Sequence, residues 1–183
     1  MENRRILNFE KLLLPLIIIV FGATLRLIPH PANVAPIAAI AIFGGVYLNK
    51  KYALVLPILA MIVSDIFLGF SVSTPLVYAS FLISGVIGLW LKNHKHLPLV
   101  IGATLASSII FFLLTNFNFW YVTSLYPKTF DGMIQAYFMA LPFFRNTVIG
   151  DLIYVGLFFA SFEVILKLSK EFYGRTNLYK NRG

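Results

Sequence analysis

The sequence predicts an all-α fold: an integral membrane bundle of six transmembrane helices, both termini cytoplasmic, with an extra interfacial helix in a long outer loop between spans 5 and 6. Two features of composition and one of charge placement lead there. Of the 183 residues, 59% are hydrophobic and 12% charged, against about 45–50% and about 25% in ordinary soluble domains. The apolar residues gather in long runs that, at 1.5 Å per residue, approach the roughly 30 Å of a hydrocarbon core. The basic residues, finally, alternate from loop to loop. A soluble enzyme, a disordered chain and a nucleic-acid binder are thereby excluded. With no cysteine in the chain, disulfides, thiolate metal sites and a thiol nucleophile are excluded too.

The first run, Leu12–Leu25, follows Arg4, Arg5 and Lys11. Phe21 stands where a signal-peptidase site would need a small residue two positions before Ala23, so an uncleaved first span is expected. The second run, Val34–Leu48, is short and is expected to begin nearer Ala32 or to lie where the bilayer is thin. Spans 3, 4 and 5 are expected at about Tyr52–Phe70, Pro75–Leu91 and Pro98–Leu114, and span 6 at Thr147–Leu166. Between the last two lies the long connection, Thr115–Asn146. Its apolar stretch Met133–Phe144 contains Gln135 and Pro142, so it is too short and too interrupted to cross and is expected to lie on the outer face. No repeat or linker divides the chain, and residues 1–183 are expected to form one polytopic domain.

With the N-terminus inside, cytoplasmic segments hold Arg4, Arg5, Lys11, Lys50, Lys51, Lys92, Lys95, Lys167, Lys170, Arg175, Lys180 and Arg182, and outer segments hold only Arg26, Lys128 and Arg145. That bias predicts N-in, C-in topology in a bacterial cytoplasmic (inner) membrane, and it accounts for the net charge of +8 without a nucleic-acid partner.

Ionisable groups within spans cost roughly 2.5–3.5 kcal/mol each on insertion scales, so their positions are informative. Asp65 lies near the outer end of span 3 and Asp151 one turn into span 6; Arg26 closes span 1 and Arg145 precedes span 6. His30 and Asn33 lie among Pro29, Pro31 and Pro36 in a rigid outer turn, and Asn116, Asn118, Trp120 and Asn146 lie in the long outer connection. The expected site is a polar cavity open to the outside. Arg26 and Arg145 would meet anionic groups of a ligand, and Asp65 and Asp151 would accept its donors or hold the arginines in place. Asn33, Asn116 and Asn146 would orient it, His30 would stand beside the mouth, and Trp120 with Tyr121 would form a stacking wall. Set against this is a purely structural role, with snorkelling arginines and aspartates that pin helix packing. Glu163 and Lys167 have the i,i+4 spacing of a surface ion pair. His94-Lys95-His96 is expected to be a solvated loop, and no metal site or cofactor is predicted. Small residues at Ala35/Ala39 and Ala41/Gly45 permit close helix approach, within the bundle or to a partner.

Several motifs taken together resemble a known family. They are Arg26-x-x-Pro29-His30-Pro31-x-Asn33-x-x-Pro36; Ser64-Asp65 with Gly69; Ser107-Ser108 with Phe111-Phe112, Thr115-Asn116 and Trp120; Tyr126-Pro127; and Pro142-Phe143-Phe144-x-Asn146-Thr147-x-x-Gly150-Asp151. The set, covering Arg26 to Asp151, resembles a bacterial membrane-protein domain family of unknown function whose members are described as transport proteins. More distantly, six spans in so short a chain resemble the S components of energy-coupling-factor (ECF) vitamin transporters. That resemblance implies capture of a small micronutrient from outside and release driven by a separate membrane scaffold with ATPases. The chain departs from S components in lacking an A-x-x-x-A contact in Leu12–Leu25. The expected function is therefore substrate capture or transport rather than catalysis. The alternatives are an intramembrane enzyme using Asp65 and Asp151 on a lipid or lipid-linked substrate, and a non-catalytic assembly protein.

Overall fold

The computed structural model describes residues 17–180, the stretches 165–166 and 168–180 by backbone alone. Arg4, Arg5, Lys11 and Arg182 lie outside the described residues, as do the first residues of the expected first span. The described residues form six helices: α1 (Ile17–Leu27), α2 (Ile37–Tyr47), α3 (Lys50–Leu68), α4 (Thr74–Leu91), α5 (Leu97–Val122) and α6 (Phe130–Lys180), with no strand among them. Four of them, α3 to α6, are long and apolar enough to cross a membrane. The all-helical membrane character is as expected. The bounds of α3 and α4 also lie close to those expected, whereas those of α2, α5 and α6 do not.

Helix α2 does not reach back toward Ala32. It starts after Pro36 and has 11 residues, nine of them buried, for a length of about 16 Å, half a hydrocarbon core. Its sequence, IAAIAIFGGVY, is apolar on every side, the pattern of a helix enclosed by others. Residues 28–36 are instead an irregular segment, with Pro29, Pro31 and Pro36 unable to donate and Asn33 in the left-handed region at φ 64°. Ile37, in the first turn of α2, packs in one cluster with Ala60 and Met61 of α3. Since α3 continues to Leu68, it runs about 10 Å past the start of α2. A half-length central helix therefore leaves a bay at one end of the bundle, bounded by longer helices and roofed by the 28–36 segment.

Small residues let α2 be enclosed. A Cβ on Gly45 would overlap the Gly88 backbone of α4, and one on Gly88 would overlap Ile42. Ala39 and Ala41 are fully buried, so these positions are consumed by packing within the chain. Of the two readings of that stripe, packing within the bundle accounts for them without a docked partner.

Two further departures concern the last helices. The expected fifth span ended at Leu114, but α5 continues to Val122, placing Asn116, Asn118 and Trp120 on a helix. The separate interfacial helix over Met133–Phe144 does not exist: α6 runs unbroken from Phe130, with Pro142 inside it. A proline removes one N–H bond and crowds the preceding turn. In apolar surroundings a lost helix bond has no water to replace it, so the remaining turns are kept. The turn between α5 and α6 is closed by Lys128, which donates to the Trp120 and Thr123 carbonyls at the C-terminal end of α5.

At the opposite end of the bundle, Glu163 does not pair with Lys167. It accepts a 2.7 Å hydrogen bond from Tyr47 of α2, within an aromatic cluster of Phe43, Tyr47, Phe159 and Phe162. Lys95 lies 4.9 Å above the Tyr47 ring. A long-range bond that ties α2 to α6 outweighs an exposed i,i+4 pair worth a few tenths of a kcal/mol. Accordingly, Tyr47→Phe is expected to destabilise the protein by about 1–2 kcal/mol and Lys167→Ala by under about 0.5 kcal/mol, read from detergent unfolding curves. Equal effects of the two substitutions would contradict this assignment.

Candidate functional site

The bay above α2 brings together side chains from every helix. Arg26, at the end of α1, forms an ion pair with Asp65 Oδ1 and donates also to Ser64 Oγ. The second carboxylate oxygen of Asp65 accepts from Tyr78 Oη at 2.8 Å. Asp65 is 2% exposed, and both its oxygens are engaged. Ser64 Oγ donates back to the Ala60 and Met61 carbonyls of its own helix at 3.0 and 2.9 Å. The result is a closed polar joint between α1, α3 and α4, neutral in total charge.

Asp151 occupies the other side. It is 4% exposed, and its Oδ2 accepts from Ser108 Oγ of α5 at 2.7 Å. No lysine, arginine or histidine among the described residues lies within ion-pair distance of it. Thr147, four residues earlier, shares its face of α6. Gly150 lets α6 press against the 28–36 segment: a Cβ there would already lie 3.2 Å from the Val34 backbone. Behind Ser108, Ser84 of α4 and Ser107 of α5 are joined at 2.7 Å, and their small volume lets α4 and α5 approach closely.

Between the Arg26 joint and Asp151 lies a cavity of about 380 Å³, lined by both residues, His30, Asn33, Thr147, Ile37 and Ala38, with Phe81 and Phe111 among its apolar walls. A second cavity of about 560 Å³ adjoins it under the α5–α6 hairpin, lined by Asn116, Thr115 and Tyr126. Asn33, Val77 and Phe111 line both and so form the partition between them.

The structure thus sorts the residues that sequence reasoning grouped. Arg26, His30, Asn33 and Asp151 line the inner cavity, and Asp65 stands behind Arg26 without lining it. His30 is exposed at the mouth, its Nδ1 donating to the Ile28 carbonyl at 2.6 Å. Asn116 lines the second cavity, with its amide nitrogen donating to the Phe112 carbonyl of its own helix. Trp120 is no wall of either cavity: its indole donates to the Pro127 carbonyl at 2.9 Å and its ring faces Lys128, so it braces the α5–α6 turn. Asn146 donates to the Ala32 carbonyl at 3.2 Å, tying α6 to the 28–36 segment. Asn118 donates to Ser73 at the start of α4. Arg145 is exposed, has no ion-pair partner among the described residues and does not line the inner cavity. Tyr78, Ser84 and Thr147 are the residues that sequence reasoning did not single out for the site.

A protein-family profile described as a family of unknown function, DUF6580, matches residues 7–173, and the chain belongs to that family. No curated protein and no solved structure matches the chain.

Proposed function

We propose that this DUF6580 membrane protein is a substrate-capture or transport protein that holds a small molecule in the cavity between Arg26 and Asp151. The observation that carries this reading is a ligand-sized cavity, about 380 Å³, containing a carboxylate that is 4% exposed and has no ion-pair partner among the described residues. Pockets for small molecules begin near 300 Å³ and pair apolar walls with a few converging polar groups. An ionisable group within a span is costly enough to be a functional candidate by default. The placement of basic residues supports a bacterial cytoplasmic membrane with this end outside. A small micronutrient as cargo and a separate membrane scaffold with ATPases as the energy source would follow from the likeness to S components. The enzymatic alternative would require both aspartates to face one substrate. Asp65 is instead engaged on both oxygens behind Arg26, which favours capture.

Native mass spectrometry of the protein taken from its own membranes in mild detergent tests the proposal. The wild type is expected to carry a small molecule in addition to phospholipid. Asp151→Ala, and Ala35→Phe, which places a ring in the cavity, are expected to lose it while eluting as folded protein. Phospholipid alone on the wild type, or the same extra mass on all three proteins, would sink the reading.

A further inference from the structure

We infer that the ligand of this cavity is a cation, a small organic amine or ammonium with an apolar or aromatic body; the inference rests on the capture reading above and specifies its substrate class. Counting charges at the bay decides the sign. Arg26 contributes one positive charge, but Asp65 is in direct contact with it and cancels it. Arg145 and Lys128 do not line the cavity, and His30, which does, stands exposed at the mouth with its Nδ1 committed to the Ile28 carbonyl. That leaves Asp151, whose single described partner is the neutral hydroxyl of Ser108. Ile37 and Ala38 bring the first turn of α2 to the same space, and a helix N-terminus carries about half a positive charge, too little to balance a carboxylate. The cavity therefore holds a buried carboxyl with no lysine or arginine in ion-pair contact among the described residues. Only a cationic partner would hold such a group in its charged form, and an anionic ligand would meet it without a free arginine.

The walls agree with that sign. Phe81 and Phe111 line the cavity with ring centroids 5.4 Å apart, and aromatic faces attract ammonium groups, most strongly where water is excluded. Thr147 and Asn33 supply further oxygen acceptors for N–H donors. The chemistry assembled is a carboxylate, two aromatic rings and neutral acceptors, which suits an ammonium head and an apolar body.

The test uses the full-length protein in detergent and four probes built on one ring: benzylammonium, benzyltrimethylammonium, benzyl alcohol and benzoate. At saturation the two cations are expected to raise the Tm by roughly 3 °C, and benzyl alcohol and benzoate to do so clearly less. Asp151→Asn is expected to erase the advantage of the cations, Asp151→Glu to keep it, and Ala35→Phe to abolish stabilisation by every probe. If Asp151→Asn does not fold, the ranking on the wild type still decides. Stabilisation by benzoate or benzyl alcohol equal to that by the cations, a cation advantage that survives in Asp151→Asn, or no response to either cation would each overturn the inference. Benzoate binding that Ala35→Phe removes would overturn the charge assignment while leaving capture intact. Capture itself fails only in the mass-spectrometric experiment.

Discussion

Arg26→Leu is expected to cost about 3–5 kcal/mol and Asp65→Leu about 1–3 kcal/mol, while the double Arg26→Leu/Asp65→Leu protein recovers most of the loss. The asymmetry follows from burial. Removing Arg26 leaves Asp65, with a side chain only 3% exposed, holding a hydroxyl partner in place of a cation. Removing Asp65 leaves an arginine that is 22% exposed and borders a cavity, where its guanidinium can be hydrated. Replacing both partners removes the desolvation cost together with the attraction, and buried pairs exchanged for apolar residues are often neutral or better. Folded yield in membranes and unfolding in denaturing detergent for the four proteins close the cycle. Additive losses, with the double variant the worst of all, would show that Arg26 and Asp65 do not act as a pair. The same cycle separates structure from function at this end of the bundle: a folded double variant that retained ligand would assign the joint to architecture and leave binding to Asp151.

Much of the fold was legible in the sequence because apolar runs and polar punctuation follow directly from the solvent. The hydrocarbon core demands long apolar helices, and the positions of α3 and α4 are close to those the runs predict. What was not legible depends on neighbours. The run Val34–Leu48 is apolar throughout, yet helix begins only at Ile37, because the bay formed by longer helices can hold irregular backbone that lipid would not tolerate. Gln135 and Pro142 read as interruptions of a run too short to cross, yet α6 passes through both without a break. The candidate site was half legible for a related reason. Proximity along the chain identified the right end of the bundle but not the right faces. Arg145 and Asp151 are six residues apart, which at 100° per residue separates them by roughly 120° around α6, and only Asp151 faces the cavity. Tyr78 did leave a signal. Asp65 lies three residues before the end of α3 and Tyr78 four residues after the start of α4, so a tight helical hairpin places them at the same level.

Gly88→Leu is expected to abolish accumulation of folded protein, Gly88→Ala to reduce it markedly, and Gly102→Ala to leave it unchanged or slightly higher. The first two follow from the α2–α4 crossing. A Cβ at Gly88 would overlap the backbone of Ile42, and no change of rotamer relieves a clash with backbone. Overpacking in a core that yields by side-chain movement costs about 1–3 kcal/mol. Here the obstacle is a helix with nine of its 11 residues buried, which has no free side toward which to shift, so a cost of ~3 kcal/mol or more is expected for leucine. Gly102 is the control: it lies within α5, but nothing stands within 4 Å of the Cβ that alanine would add, and alanine is the better helix former by about 1 kcal/mol. Yield of monodisperse protein after extraction, with circular dichroism on what survives, measures all three. Normal folding of Gly88→Leu would mean that α2 is not clasped as described. The consequence would reach the site, because the depth of the bay is set by where the crossing with α4 holds this short helix. A chain that folded with α2 displaced would change the floor at Ile37 and Ala38 while leaving Asp151 and Ser108 paired. Position 88 contributes no atom to the cavity, yet by fixing α2 against α4 it sets where the cavity floor at Ile37 and Ala38 lies.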